Sequence, residues 1–129
     1  MVDELRHIDE QSAETSLVVR NDNIFVRSGV MQVPGLIENI AQSAAAFTGY
    51  HNSEQDVEPK IGYIGEVKNC AVHRLPRIGE RIYTRIAVLA EAGGITLMSA
   101  ISYSADPEDS APVNDRLLTE CQIKIFLKE

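Results

Sequence analysis

Hydrophobic and polar positions change their period part-way along the chain. Residues 15–20 (TSLVVR) read as a strand, and Asn21-Asp22-Asn23 reads as a turn. Residues 24–27 (IFVR) form a short extended piece, and Ser28-Gly29 breaks it. From Pro34, a favoured first-turn residue, the run PGLIENIAQSAAAFTGY is apolar almost all round, which predicts a long buried helix. Gly49 is its expected stop, and residues 51–60 read as polar loop. Thereafter the period is two. Residues 61–73, 80–91, 95–104 and 116–127 read as four strands. Leu75–Gly79 is a connection, Ala92-Gly93-Gly94 a hairpin signal, and 105–114 a Pro- and Asp-rich loop.

In the last strand Thr119, Cys121, Ile123, Ile125 and Leu127 share one face, and Leu118, Glu120, Gln122, Lys124 and Phe126 the other. At the N-terminus, Leu5 and Ile8 stand at helical spacing in a charged stretch. Residues 1–13 are therefore expected to be a short helix or a loose arm. The order is strand, long helix, then four strands joined by hairpin-like links. An apolar helix must be covered, and an antiparallel sheet curled around it does so economically. The expected fold class is α+β, a single domain over 1–129 with a curved antiparallel sheet of five to six strands around one central helix.

Composition narrows the function classes. A length of 129 residues with 44% apolar and 24% charged content suits one soluble globular domain. A net charge of −7 argues against nucleic-acid binding through phosphate neutralisation. Residues 60–85 hold six cations against two anions, a local +4 that leaves −11 elsewhere. Such a zone suits an anionic ligand or partner, or a set of solvated strand ends. Cys70 and Cys121 lie far apart in strand-like stretches and are expected to be buried free thiols. No run is long enough to span a membrane and no signal peptide is visible, so the expected location is cytoplasmic. No two histidines have metal-ligand spacing, so neither metal nor cofactor is expected.

Glu38 is the one charge in the helical run, and Gln42 follows it one turn later on the same face. A carboxylate on a buried helix is costly unless paired or used. It can pair with an arginine, rim a subunit contact, or serve as an acid/base with a pKa raised by burial.

The segment PGLIENIAQSAAA (34–46) resembles the helix start of hotdog-fold β-hydroxyacyl-[acyl carrier protein] dehydratases. Pro34, Gly35, Glu38, Ala41 and Gln42 occupy the matching places. The Ala-rich continuation and GYIGEVKNCAVHRLPRIGERI are similar to the divergent dehydratase-like proteins of aryl-polyene and flexirubin pigment clusters. The resemblance implies a hotdog fold and a homodimer or assembly of dimers. It implies a 3-hydroxyacyl thioester on acyl carrier protein or coenzyme A as substrate, and a trans-2-enoyl thioester as product. Glu38 would be the acid/base carboxylate, and Gln42 would help order the site.

The family's second catalytic residue is a His in a loop just before the helix, and NDNIFVRSGVMQ has none. His73 is the one histidine in a core-like strand. It is either a substitute or a strand-end imidazole bonded to backbone or water. Dehydration also needs donors for the thioester oxygen, and the helix-start amides of Gly35 and Leu36 are candidates. Arg74, Arg77 and Arg81 would suit the phosphate of phosphopantetheine or an acidic carrier surface. Two rivals remain open. One is a hotdog thioesterase, in which Glu38 directs water at the carbonyl. The other is a non-catalytic partner subunit of an active hotdog dehydratase.

Overall fold

The structure, a computed structural model, describes residues 1–54, 61–104 and 116–128. Strands β1 (Glu4–Ile8) and β2 (Ser12–Val18) lead into a minimal ribbon of β3 (Val26–Arg27) and β4 (Val30–Met31). Helix α1 (Val33–Glu54) follows, then β5 (Ile61–Val72), β6 (Arg81–Ala92), β7 (Ile95–Tyr103) and β8 (Leu117–Lys128). Six strands form one antiparallel sheet in the order β1-β2-β6-β7-β8-β5, so β1 and β5 are its edges. Helix α1 contacts β1, β2, β5 and β6, elements from both ends of that order, so the sheet curls around it.

Local chemistry explains the joins. Gly93 and Gly94 both have positive φ, as a tight two-residue hairpin between Ala92 and Ile95 requires. Gly35 lets α1 start close to the ribbon, because a Cβ there would lie 2.7 Å from Met31 Cγ and Phe25 Cβ.

The N-terminal stretch is a strand, not a helix or loose arm. Leu5 pairs with Thr15 and Ile8 with Ala13, with a register shift between Leu5 and His7. That extra residue puts both apolar side chains on the concave face, although a regular strand would separate them. The bulge produces the three-residue spacing that reads as helical.

Helix α1 also runs beyond Gly49 to Glu54, and only one of its faces is closed. Leu36, Asn39, Ile40, Ser43, Ala44 and Phe47 are buried, whereas Gln42 and Ala45 are exposed. Thr119, Cys121, Ile123 and Ile125 share the core face as expected. Leu118 does not follow the outer set. A register shift between Ser102 and Tyr103 turns it into the core, where it is fully buried. Cys70 is exposed, against the expectation of two buried thiols. Residues 55–60 and 105–115, and the side chain of Leu127, fall outside what is described. No helix among the described residues is long and apolar enough to cross a membrane.

The core is divided by a polar belt. Thr15, Thr84, Ser102 and Thr119 are register partners across β2, β6, β7 and β8, and all four are fully buried. On one side lies a cluster that includes Ile40, Phe47, Ile86, Met98 and Ile123. On the other lie Leu17, Val19, Met31, Leu36, Ile82 and Leu118. Buried hydroxyls need partners. Thr15 and Ser43 share a 2.7 Å hydrogen bond, and Ser43 donates to the Asn39 carbonyl at 2.7 Å. Thr84 donates to Asn39 Oδ1 and lies 3.0 Å from Ser102 Oγ. Asn39 Nδ2 donates to the Met1 carbonyl at 2.9 Å, and Thr119 donates to the Ala71 carbonyl at 2.9 Å.

Candidate functional site

Glu38 lies in the second turn of α1, half-buried, on the side turned away from the polar belt. Gln42 Nε2 donates to Glu38 Oε1 at 2.9 Å, the one-turn contact that their spacing dictates. The adjacent residue, Asn39, belongs to the belt. The carboxylate therefore projects from a helical segment that is pinned to the sheet on its inner side.

The helix start is braced by two loops. Gln32 N donates to the Phe25 carbonyl and Met31 N to the Pro76 carbonyl, both at 2.9 Å. Val30 bridges Arg77, and Ile78 N donates to Gly29 O at 3.0 Å. These bonds zip the basic loop of residues 73–80 against the ribbon that feeds α1. Arg74 and Arg77 are thereby brought to the same end of the molecule as the helix start.

Glu80 holds that loop in shape. Arg74 donates to it twice, at 3.0 and 2.6 Å, and the Arg77 backbone amide donates to it as well. The Arg74 guanidinium keeps the Glu80 carboxyl below the usual carboxylate range, and the Arg74 pKa is raised in return. Arg81 stands elsewhere, on β6, 3.9 Å from Glu4 of the edge strand. Two of the three expected arginines are thus matched with carboxylates, so the basic zone carries less uncompensated charge than its count suggests.

Of the two expected amide donors, that of Gly35 has a partner within the chain. Gly35 N already donates to the Gln32 carbonyl at 2.9 Å, and Leu36 is fully buried. Gly35 also packs closely on Met31 and Phe25.

Each histidine of the chain is occupied away from Glu38. His73 Nε2 lies 3.9 Å from Glu120 Oε1. Glu120 is exposed between the core residues Thr119 and Cys121, so this pair lies on the convex face, across the sheet from α1. His7 faces Glu14 at 3.8 Å on the pairing of β1 with β2. His51 packs on Phe47 and Tyr50, and its Nε2 lies 2.8 Å from the Asp9 carbonyl. It stands thirteen residues after Glu38, roughly 20 Å along the helix. One protomer therefore presents a carboxylate and an amide without an imidazole. Among the described residues no three His, Cys, Asp or Glu side chains are grouped to hold a metal ion.

Sequence reading passed over Asn39, Ser43 and Glu80. The signal for the first two was present, since they share the helical stripe of Leu36, Ile40, Ala44 and Phe47. Glu80 gave no local signal, because its partners depend on how residues 73–80 fold back.

The sequence matches the ApeP-like family, described as ApeP dehydratase, over residues 1–126. The chain belongs to the ApeP-like dehydratase family. Among solved structures, this ApeP-like chain is similar to the dehydratase heterocomplex ApeI:P from Xenorhabdus doucetiae. The TM-score is 0.83 at 11% identity, over 99% of this chain and 82% of that one. It is also similar to a hypothetical thioesterase protein with coenzyme A from Streptococcus pneumoniae TIGR4. There the TM-score is 0.73 at 8% identity, over 97% and 84% of the two chains. A third likeness is to smu.793 from Streptococcus mutans UA159 bound to acetyl CoA, with TM-score 0.69, 5% identity, and coverage of 97% and 87%. At these identities the likenesses show the fold, which is the hotdog fold. A comparison with curated proteins finds no match.

Proposed function

We propose that this ApeP-like chain is one subunit of a hotdog dehydratase that removes water from a 3-hydroxyacyl thioester held on acyl carrier protein. Glu38 supplies the carboxylate, Gln42 orients it, and a second hotdog subunit supplies the imidazole. The observation that carries this reading is the isolation of Glu38. It is paired with Gln42 on the open side of α1, while His7, His51 and His73 are all engaged elsewhere.

Dehydration takes a proton from the carbon beside the thioester carbonyl and gives one to the departing hydroxyl. The two transfers need a base and an acid in different places. A lone carboxylate meets one demand, and an imidazole across a subunit boundary meets the other. The edge strand β5, with Val67 and Val72 exposed, suits edge-to-edge pairing with such a subunit. The name of the similar heterocomplex also supports a two-subunit dehydratase. Arg74 and Arg77, beside the helix start, would receive the phosphate of the carrier arm or an acidic carrier surface.

The test is product mass. A 3-hydroxyacyl carrier protein incubated with this chain and a histidine-bearing hotdog subunit should lose one water, and Glu38→Gln should abolish the loss. Release of free acid would identify a thioesterase instead.

A further inference from the structure

We propose that the cavity beside the β1–β2 hairpin is a binding site for a small free α-amino acid, held by Glu14 and Arg85. It lies at the β1 edge of the sheet, the edge opposite β5. Glu14 alternates with the core residues Ala13 and Thr15, so it rises from the convex face. Its side chain is nevertheless only 6% exposed. The bulge between Leu5 and His7 brings Arg6 over it. The Arg6 guanidinium stands 4.6 Å from the centre of the Tyr83 ring, and its Nη1 lies 3.8 Å from Glu14 Oε2. His7 Nε2 lies 3.8 Å from the same oxygen. The other oxygen, Oε1, is buried and accepts no hydrogen bond. A buried carboxylate oxygen without a donor is costly.

Arg85 has the opposite need. It is the register partner of Glu14 on β6, so the two side chains leave the same face side by side. It is exposed and has no hydrogen bond or ion pair among the described residues. Both residues line a cavity of about 320 Å³, together with His7, Ile8 and Ala13. Asp9 and Ser12 line it too, but the Asp9 carboxylate already closes the hairpin. It accepts from the Gln11 and Ser12 amides at 2.8 and 2.7 Å and from the Ser12 hydroxyl at 3.0 Å. A simple anion would match Arg85 and leave Oε1 orphaned, and a simple amine would do the reverse. An α-amino acid carries both groups on one carbon. Its ammonium donates to Glu14 Oε1, and its carboxylate accepts from Arg85. His7, on the edge strand with its side chain 68% exposed, is the movable wall that turns aside to admit the ammonium. The volume stands at the low end of the roughly 300–1,000 Å³ of small-molecule sites. With Ile8 and Ala13 in the lining, it suits a short apolar side chain.

The experiment is titration of the full chain with L-valine, followed by amide NMR shifts and calorimetry. The expected result is saturation at one valine per chain with a Kd of about 1 mM or tighter, and shifts centred on His7, Glu14 and Arg85. Two analogues dissect the clamp. Isovalerate lacks the ammonium and isobutylamine lacks the carboxylate, and each should bind at least roughly tenfold more weakly. Glu14→Gln keeps the shape of the buried side chain and should weaken valine by a similar factor. Arg85→Gln, at an exposed position, tests the other half of the clamp without disturbing the buried carboxylate and should do the same. The proposal is overturned by no saturable change up to roughly ten times the expected Kd, by either analogue binding as well as valine, or by unchanged affinity in either variant.

Discussion

Thr84 donates its hydroxyl hydrogen to the side-chain oxygen of Asn39, one residue beyond Glu38 on the helix. The bond joins the candidate carboxylate's own turn to the middle strands of the sheet. Replacing Asn39 by Leu keeps the branched side-chain shape, though not the size, and leaves the Met1 carbonyl and one bond of Thr84 unmet. The expected cost is about 1–3 kcal/mol, read as a lower urea midpoint. Adding Thr84→Val should recover part of the loss, because removing both partners costs less than orphaning one. An unchanged midpoint in Asn39→Leu would remove the belt from the account.

Gly35 lies where Met31 and Phe25 close over the helix start. Gly35→Ala should push the ribbon off α1 and destabilise the fold by about 1–3 kcal/mol. Ordinary helix propensity would make the same change favourable. Thermal unfolding decides between them, and a raised midpoint would show that the ribbon yields freely.

Glu80 makes part of the stability depend on pH. Its folded pKa is depressed, chiefly by Arg74, from an ordinary value of 4.5. The stabilisation is therefore complete above that value and is lost as pH falls through the lower folded pKa. Glu80→Gln should cost about 1 kcal/mol at neutral pH, a modest figure because the pair is partly exposed. The gap to wild type should close as pH drops below 4.5. A gap that stays constant from neutral to acid pH would contradict the Arg74–Glu80 origin.

His73 stands with Glu120 on the convex face, across the sheet from α1. His73→Gln should leave turnover by the two-subunit enzyme within about twofold of wild type, a change of under 1 kcal/mol in the barrier. A loss of a hundredfold or more would return His73 to the catalytic set.

The long helix, the four later strands and the hairpin at Gly93-Gly94 could be read from period and turn chemistry, since these are local signals. The Glu38–Gln42 contact was legible for the same reason: four residues on a helix fix the approach. Bulges defeated the reading elsewhere. One extra residue near Arg6 made a strand look helical, and another beside Tyr103 turned Leu118 inward. The polar belt was hidden because its hydroxyls come from four strands whose register no single segment encodes. The packing of residues 73–80 against the ribbon before α1 was hidden for the same reason, as it rests on contacts between segments more than forty positions apart.

The central claim is that Glu38 of this chain works with an imidazole from another subunit. The most direct measurement is the rate of water loss from a 3-hydroxyacyl carrier protein, followed by mass spectrometry. The chain is tested alone, with a hotdog subunit bearing a histidine in the loop before its helix, and with that subunit paired to Glu38→Gln. The account predicts no turnover alone, turnover on mixing, and loss of that turnover in the variant. Full turnover by the chain alone, or undiminished turnover with Glu38→Gln, would contradict it.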